Sequence, residues 1–124
     1  MVRIIRIKTG DNILEAALND TETARAIWEA LPITATANTW GDEIYFTIPV
    51  DLKLEKGQEL VEVGDLGYWP TGRAFCIFFG PTPMSRGQEI RPASAVTVFG
   101  RIVSDATVLK GFTSGVEVTV ERKQ

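Results

Sequence analysis

Four side chains between residues 38 and 45 are of types that could do chemistry together. Asn38, Trp40, Glu43 and Tyr45 alternate along two runs, Ile33 to Trp40 and Glu43 to Ile48, which flank Gly41-Asp42. Glycine at the first central position suits a two-residue type II′ turn, which folds the runs into a hairpin and sets its register. Trp40 then lies opposite Glu43, Asn38 opposite Tyr45, and Thr36 opposite Thr47. The other face pairs Thr39 with Ile44, Ala37 with Phe46, and Ala35 with Ile48; it is small and apolar, so it faces a core. The first face is an aromatic shelf with one carboxylate and one amide, fit for a small polar ligand with a planar or apolar part, or for a peptide. A solvated sheet face or a dimer interface would look the same in sequence, and the residues alone leave these readings open.

Other residues could wall such a shelf. Tyr68 and Trp69 are adjacent, so on a strand they point to opposite faces, one to the core and one outward. The stretch from Gly80 to Pro92 is long for a loop in a small domain, and loops of that length are often functional. Its Met84 and prolines are placed to wall a pocket, and Arg91, like Arg73, can either hold an anion or pair with a nearby carboxylate. The ligand-binding candidates are therefore Asn38, Trp40, Glu43, Tyr45, Tyr68, Trp69, Met84 and Arg91. Cys76, inside Ala74-Phe75-Cys76-Ile77-Phe78-Phe79, reads as a small buried apolar residue, because burial raises a thiol's pKa and no His is there to activate it. Glu55, Lys56, Glu59, Glu62, Arg86 and Lys123 read as solvated surface.

Composition excludes much else. The chain has no histidine, which removes Ser-His-Asp and Cys-His catalysis and His-ligated zinc. A single cysteine allows no intrachain disulfide and no thiolate metal cluster. A net charge of −3 does not fit a nucleic-acid footprint. The first eight residues form an apolar run broken by Arg3, Arg6 and Lys8, unlike a signal peptide, and no stretch is apolar enough to span a membrane. Cytoplasmic residence, no cofactor, no bound metal and no membrane partner are expected; oligomeric state is left open. At 124 residues the chain is one domain, residues 1–124, able to bury roughly two-thirds of its unfolded surface in a single core.

The elements that must position the candidates follow from periodicity. Residues 2–8 and 12–18 form a hairpin around Thr9-Gly10-Asp11. Ala24, Ile27, Trp28 and Leu31 share one helical face over 21–31, with Asp20 or Thr21 as cap, Glu22 in the first turn and Pro32 as stop. After the 33–48 hairpin come short strands at 60–63, 66–69, 73–79, 95–103 and 116–121, with a weak helical stretch at 105–112. About eight mostly sequential strands and one main helix predict a mainly β chain, a closed or nearly closed antiparallel barrel, since closure removes exposed edges.

Three segments carry a resemblance to the cyclophilin fold: the strand–turn–strand–helix opening from Val2 to Leu31; Gly64-Asp65-Leu66-Gly67-Tyr68-Trp69 followed by Ala74-Phe75-Cys76-Ile77-Phe78; and Val98-Phe99-Gly100-Arg101-Ile102-Val103 followed by Val108-Leu109-Lys110. Trp40-Gly41-Asp42-Glu43-Ile44-Tyr45 and the 64–70 segment further resemble a small prokaryotic family of cyclophilin-like proteins of unassigned function. Prolyl isomerase activity in cyclophilins relies on an Arg, a Gln, a Phe, a Trp and a His around the proline. Here there is no His and no Arg between Arg25 and Arg73, the Gln position falls on Ala74 and the Phe position on Cys76, so no catalytic residue carries over. Gly64, Pro70-Thr71-Gly72 and Phe75 also match the second cupin motif, but with Phe75 where cupins place a metal-binding His. The expectation is a binding module for a small ligand or peptide. The alternative is an enzyme: a weak prolyl isomerase, or a carboxylate-based hydrolase or transferase on small amides using Glu43, Asp42 or Asp65.

Overall fold

The computed structural model describes residues 2–123. Its strands are β1 (Ile4–Thr9), β2 (Asn12–Leu18), β3 (Ile33–Thr36), β4 (Asn38–Thr39), β5 (Glu43–Thr47), β6 (Asp65–Trp69), β7 (Ala74–Phe78), β8 (Thr97–Ile102) and β9 (Glu117–Arg122), with one α-helix, α1 (Glu22–Ala30), between β2 and β3. All nine strands join one sheet in the order β3-β9-β1-β2-β8-β6-β7-β5-β4, every pairing antiparallel. The first and last strands of that order, β3 and β4, are consecutive in the chain and separated only by Ala37. The sheet therefore curls back on itself into a nearly closed barrel, the predicted class.

This closure corrects the long hairpin. The turn register holds near the turn, with Asn38 opposite Tyr45, Thr39 opposite Ile44, and the Trp40 amide donating to the Glu43 carbonyl at 2.9 Å. Beyond Ala37 the chain leaves β5. The expected pairs Thr36 with Thr47, Ala37 with Phe46 and Ala35 with Ile48 do not form; Ile33 to Thr36 pair instead with β9. The backbone of Ala37 bonds to Val116 and Gly115, at 3.0 and 2.9 Å. A strand that changes partner at a bend is what lets a single sheet close. Its side-chain facing survives: Ala37, Ile44, Phe46 and Ile48 are buried, and Ala35 is half-buried against the same core.

Inside the barrel, alternate residues of each strand meet: Ile5 and Ile7, Leu14 and Ala16, Leu66 and Tyr68, Val118 and Val120. Phe75 organises the aromatic part, stacked on Phe46 at 4.9 Å and edge-on to Phe99 at 5.0 Å, arrangements that add about 0.5–1.5 kcal/mol each beyond area burial. Helix α1 covers the barrel with Ala24 and Ile27. Thr21 caps it, its hydroxyl accepting from the Ala24 amide at 3.0 Å. The free amides of Glu22 and Thr23 are taken by the Glu55 carboxylate at 3.1 and 3.0 Å, and these bonds hold its pKa low. Glu55 is thus a remote helix cap rather than the solvated residue expected. Two further elements differ from expectation. Residues 60–63 form no strand, only a bridge from Val61 to Ile90, and the 105–112 stretch is a single 3-10 turn, Ala106–Leu109, capped by Asp105.

Candidate functional site

The strands β5, β7 and β6 lie side by side, and the faces they turn away from the barrel interior carry Glu43 and Tyr45, Ala74, Cys76 and Phe78, and Gly67 and Trp69. Tyr45 lies directly opposite Cys76, and Glu43 opposite Phe78, so Glu43 and Cys76 are diagonal neighbours. In many barrels such a face meets solvent. Here the chain from residue 80 to 96 folds over part of it, and Val61, Ile90 and Val96 pack with Ala74, Cys76 and Phe78 into a second, smaller core. Gly67 makes this possible: a Cβ there would come within 2.9 Å of Val96 and 3.0 Å of Phe78, so the absence of a side chain lets Val96 sit flat on the sheet.

The covering segment is held by polar staples. The Thr82 hydroxyl donates to the Arg91 carbonyl, and the Ser85 hydroxyl accepts from the amides of Thr82 and Arg91 at 2.9 and 3.2 Å. The Asp42 amide donates to the Pro81 carbonyl at 3.0 Å, which fastens the loop to the β4–β5 turn. Gly41 in that turn has φ +62°, and a Cβ on it would press within 2.8 Å of Pro83. Farther along, Trp69 donates its indole N–H to the Ser94 hydroxyl at 2.6 Å.

The cover is incomplete. Between it and the sheet lies a cavity of about 210 Å³ walled by Trp40, Glu43, Tyr45, Trp69, Cys76, Pro92, Ala93 and Val96. Its lining is almost wholly apolar apart from the Glu43 carboxyl, the Tyr45 phenol and the Cys76 thiol. Glu43 is 6% exposed, and among the described residues no Lys or Arg forms an ion pair with it. Burial without a counter-charge penalises the carboxylate and pushes its pKa up to about 7, against a smaller downward pull from a hydrogen bond with Cys76. The Cys76 thiol is pushed well above its usual range, first by burial and then by the adjacent carboxyl.

Residues 3–121 of the chain match the model of the Cyclophilin-like family. The chain belongs to the Cyclophilin-like family. Among solved structures it is similar to the solution structure of the hypothetical protein AF2241 from Archaeoglobus fulgidus, with 48% identity, a TM-score of 0.83, and coverage of 98% of this chain and 95% of that one. No curated protein matches it.

In this Cyclophilin-like chain the eight residues singled out from sequence part company. Trp40, Glu43, Tyr45 and Trp69 line the one cavity together. Tyr68 does not: as its neighbour Trp69 points outward, it points into the barrel, fully buried, where its hydroxyl donates to the Val50 carbonyl at 2.6 Å and accepts from the Leu52 amide at 3.1 Å. Asn38 is exposed beyond the cavity wall, because the strand ends in the bend at Ala37. Met84, 49% exposed, and Arg91 line a separate hollow on the far side of Pro92 and Ala93. Arg91 pairs there with Glu89 at 2.9 Å, while Arg73 is exposed with a left-handed backbone, φ 48°. Of the other carboxylates considered, Asp65 is tied to the Glu62 amide at 2.9 Å, and Asp42 lies 3.9 Å from the Lys110 ammonium; neither lines the cavity.

Sequence reasoning missed Cys76, Ala93 and Val96; Pro92, a proline of the loop expected to wall a pocket, does line this cavity. Cys76 is buried as expected, yet it also forms cavity wall beside Glu43. Its alternation within the 73–79 strand separates it from Phe75 and Ile77, a signal that it shares the outer face. Nothing local announces that 92–96 folds back over that face. Among the described residues, no three His, Cys, Asp or Glu side chains come together to hold a metal ion, and no helix is long and apolar enough to cross a membrane.

Proposed function

We propose that this protein is a binding module for a small ligand, or for one end group of a larger one, taken into the cavity between the β5–β7–β6 face and the 92–96 segment. The observation that carries this reading is the Glu43 carboxyl, buried among aromatic and aliphatic side chains without an ionic partner. Burying such a group without a counter-charge costs free energy. A ligand that hydrogen-bonds or neutralises the carboxyl recovers that cost. The remaining lining matches the general pattern of ligand sites, apolar walls with few orienting polar groups. The volume of about 210 Å³ lies below the range usual for sites of drug-sized ligands, so the occupant is small.

A catalytic reading draws on the same residue, since a carboxyl with a pKa near 7 is poised for proton transfer at neutral pH. The cavity lining offers it no activated nucleophile, because the Cys76 thiol is held protonated, and no cationic group for a developing oxyanion. Binding is therefore the better-supported function. Without a lining guanidinium to stabilise a twisted amide, prolyl isomerase turnover is expected to be absent or very weak.

The test is a thermal-shift screen of small amides, amines, acids and proline peptides, with hits confirmed by the fluorescence of Trp40 and Trp69. A hit is expected to raise the melting temperature of the native chain and to lose that effect in Trp40→Ala and Tyr45→Ala. Hits that bind both variants unchanged move the site elsewhere. Turnover of a proline peptide at ordinary cyclophilin rates overturns the non-catalytic reading.

A further inference from the structure

We propose that the ligand of this cavity is a small organic cation, an ammonium carrying alkyl groups, held against the faces of Trp40, Tyr45 and Trp69 with Glu43 as its counter-charge. The inference rests on the reading of the cavity as a ligand site and adds the chemical class. Three of the eight lining residues are aromatic, and one is an acid. An aromatic face presented to a cation carries negative potential, which acts in the same direction as the carboxylate. Among the described residues, no Lys or Arg lines the cavity to offset them. Asp42, the nearest acid in sequence, projects toward Lys110 instead.

The degree of alkylation follows from counting acceptors. A primary ammonium brings three N–H donors, each of which needs a partner once it leaves water. The side-chain acceptors here, the two Glu43 carboxylate oxygens and the Tyr45 hydroxyl, all stand on β5. A donor turned toward the other walls, Trp69 (whose N–H is spent on Ser94), Cys76, Pro92, Ala93, Val96 and Trp40, meets no comparable side-chain partner. A tertiary or quaternary ammonium needs one such partner or none, and its methyl groups match the apolar walls. A metal ion is excluded by the same count, since a lone carboxylate supplies too few ligands.

The class has a consequence for pH. A cation selects ionised Glu43 and displaces its proton on binding. The titratable groups facing Glu43 are the Cys76 thiol on β7 and the Tyr45 phenol on β5; the cavity residues of β6 and of the 92–96 segment carry no charge. Burial holds the Cys76 thiol protonated, so it adds no charge beside Glu43, which sets the dependence.

The experiment compares choline with its uncharged isostere 3,3-dimethylbutanol, using Trp fluorescence and calorimetry on the full chain. Choline is expected to bind at least about tenfold more tightly than the isostere at about pH 8. Its affinity is expected to fall about 30-fold by about pH 5.5, with a proton taken up from buffer on release at neutral pH. Glu43→Gln, which keeps the shape of the side chain, is expected to abolish the pH dependence and to reduce the preference to the part the aromatic walls supply, while near-UV circular dichroism stays native. Equal binding of both probes, lost in Trp40→Ala, overturns the cationic class and leaves the cavity a site for neutral ligands. If neither probe binds at millimolar concentration, the class is overturned, and the reading as a ligand site is judged separately on the amides and acids of the screen.

Discussion

Strands β5, β6 and β7 carry two faces, and both are buried, but they are built differently. On the inner face Ile44, Phe46, Leu66, Tyr68, Phe75 and Ile77 are each at most 1% exposed, and the single polar tip, the Tyr68 hydroxyl, both donates and accepts. On the outer face Cys76 and Phe78 are just as deeply placed and Glu43 is nearly so, yet a cavity remains beside them, and among the described residues the carboxyl has no ionic partner. The same strands, with the same alternation, thus make a finished core on one side and an unfinished one on the other. Dense packing and satisfied polar groups serve stability. Where a face is covered but left open around a buried carboxyl, the structure carries a standing cost that a ligand can offset.

The largest effect that would sharpen this contrast is expected from Phe75→Ala. It removes the ring that stacks on Phe46 and meets Phe99 edge-on and should cost about 3–5 kcal/mol in urea denaturation. A loss below about 1 kcal/mol would mean that the inner face relaxes as freely as the outer one.

A smaller effect, of opposite sign, is expected on the outer face. The native chain raises the pKa of Glu43 from 4.5 to about 7, so it holds the proton more tightly than the unfolded chain does. Stability is then greatest, as far as this group is concerned, below about pH 4.5, and is lost as pH rises through about 7. That shift corresponds to about 3 kcal/mol in the fully ionised state. Glu43→Gln cannot ionise, so its advantage over the wild type should open up across that window and persist above it. Denaturation midpoints that run parallel for the two proteins from acid to neutral pH would show a carboxyl already stabilised by water.

The smallest expected effect comes from a matched pair. Tyr68→Phe leaves the Val50 carbonyl and the Leu52 amide without their partner in the core and should cost about 1–3 kcal/mol. Tyr45→Phe, on the half-buried outer face, should change stability by less than about 0.5 kcal/mol. Equal losses would erase the distinction between the faces.

How far the sequence reached differs between element and assembly. Period-two alternation located most strands and put Tyr68 and Trp69 on opposite faces, because side-chain direction in a strand is a local property. The Gly41-Asp42 turn gave the register of the pairs nearest it, because a short turn constrains only the residues it joins. Asp20 or Thr21 as cap, with Glu22 behind and Pro32 after the helix, marked α1 for the same reason, since capping is a contact between residues a few positions apart; the structure chooses Thr21.

The partner of residues 33–36 was a different matter. Which strand lies beside them depends on whether the sheet closes, and closure is a property of nine strands together; only the folded barrel sends them to β9. Glu55 looked like surface until the helix end it caps, more than thirty residues earlier in the chain, was in place. The site divides along the same line. Trp40, Glu43 and Tyr45 share a face by local alternation and a single turn, and the sequence determined that much. That the face is roofed by 92–96, that Cys76 stands beside Glu43, and that the carboxyl is buried without a counter-charge were decided by the tertiary structure. Burial depends on what arrives from elsewhere in the chain, and no local pattern of residues encodes the arrival.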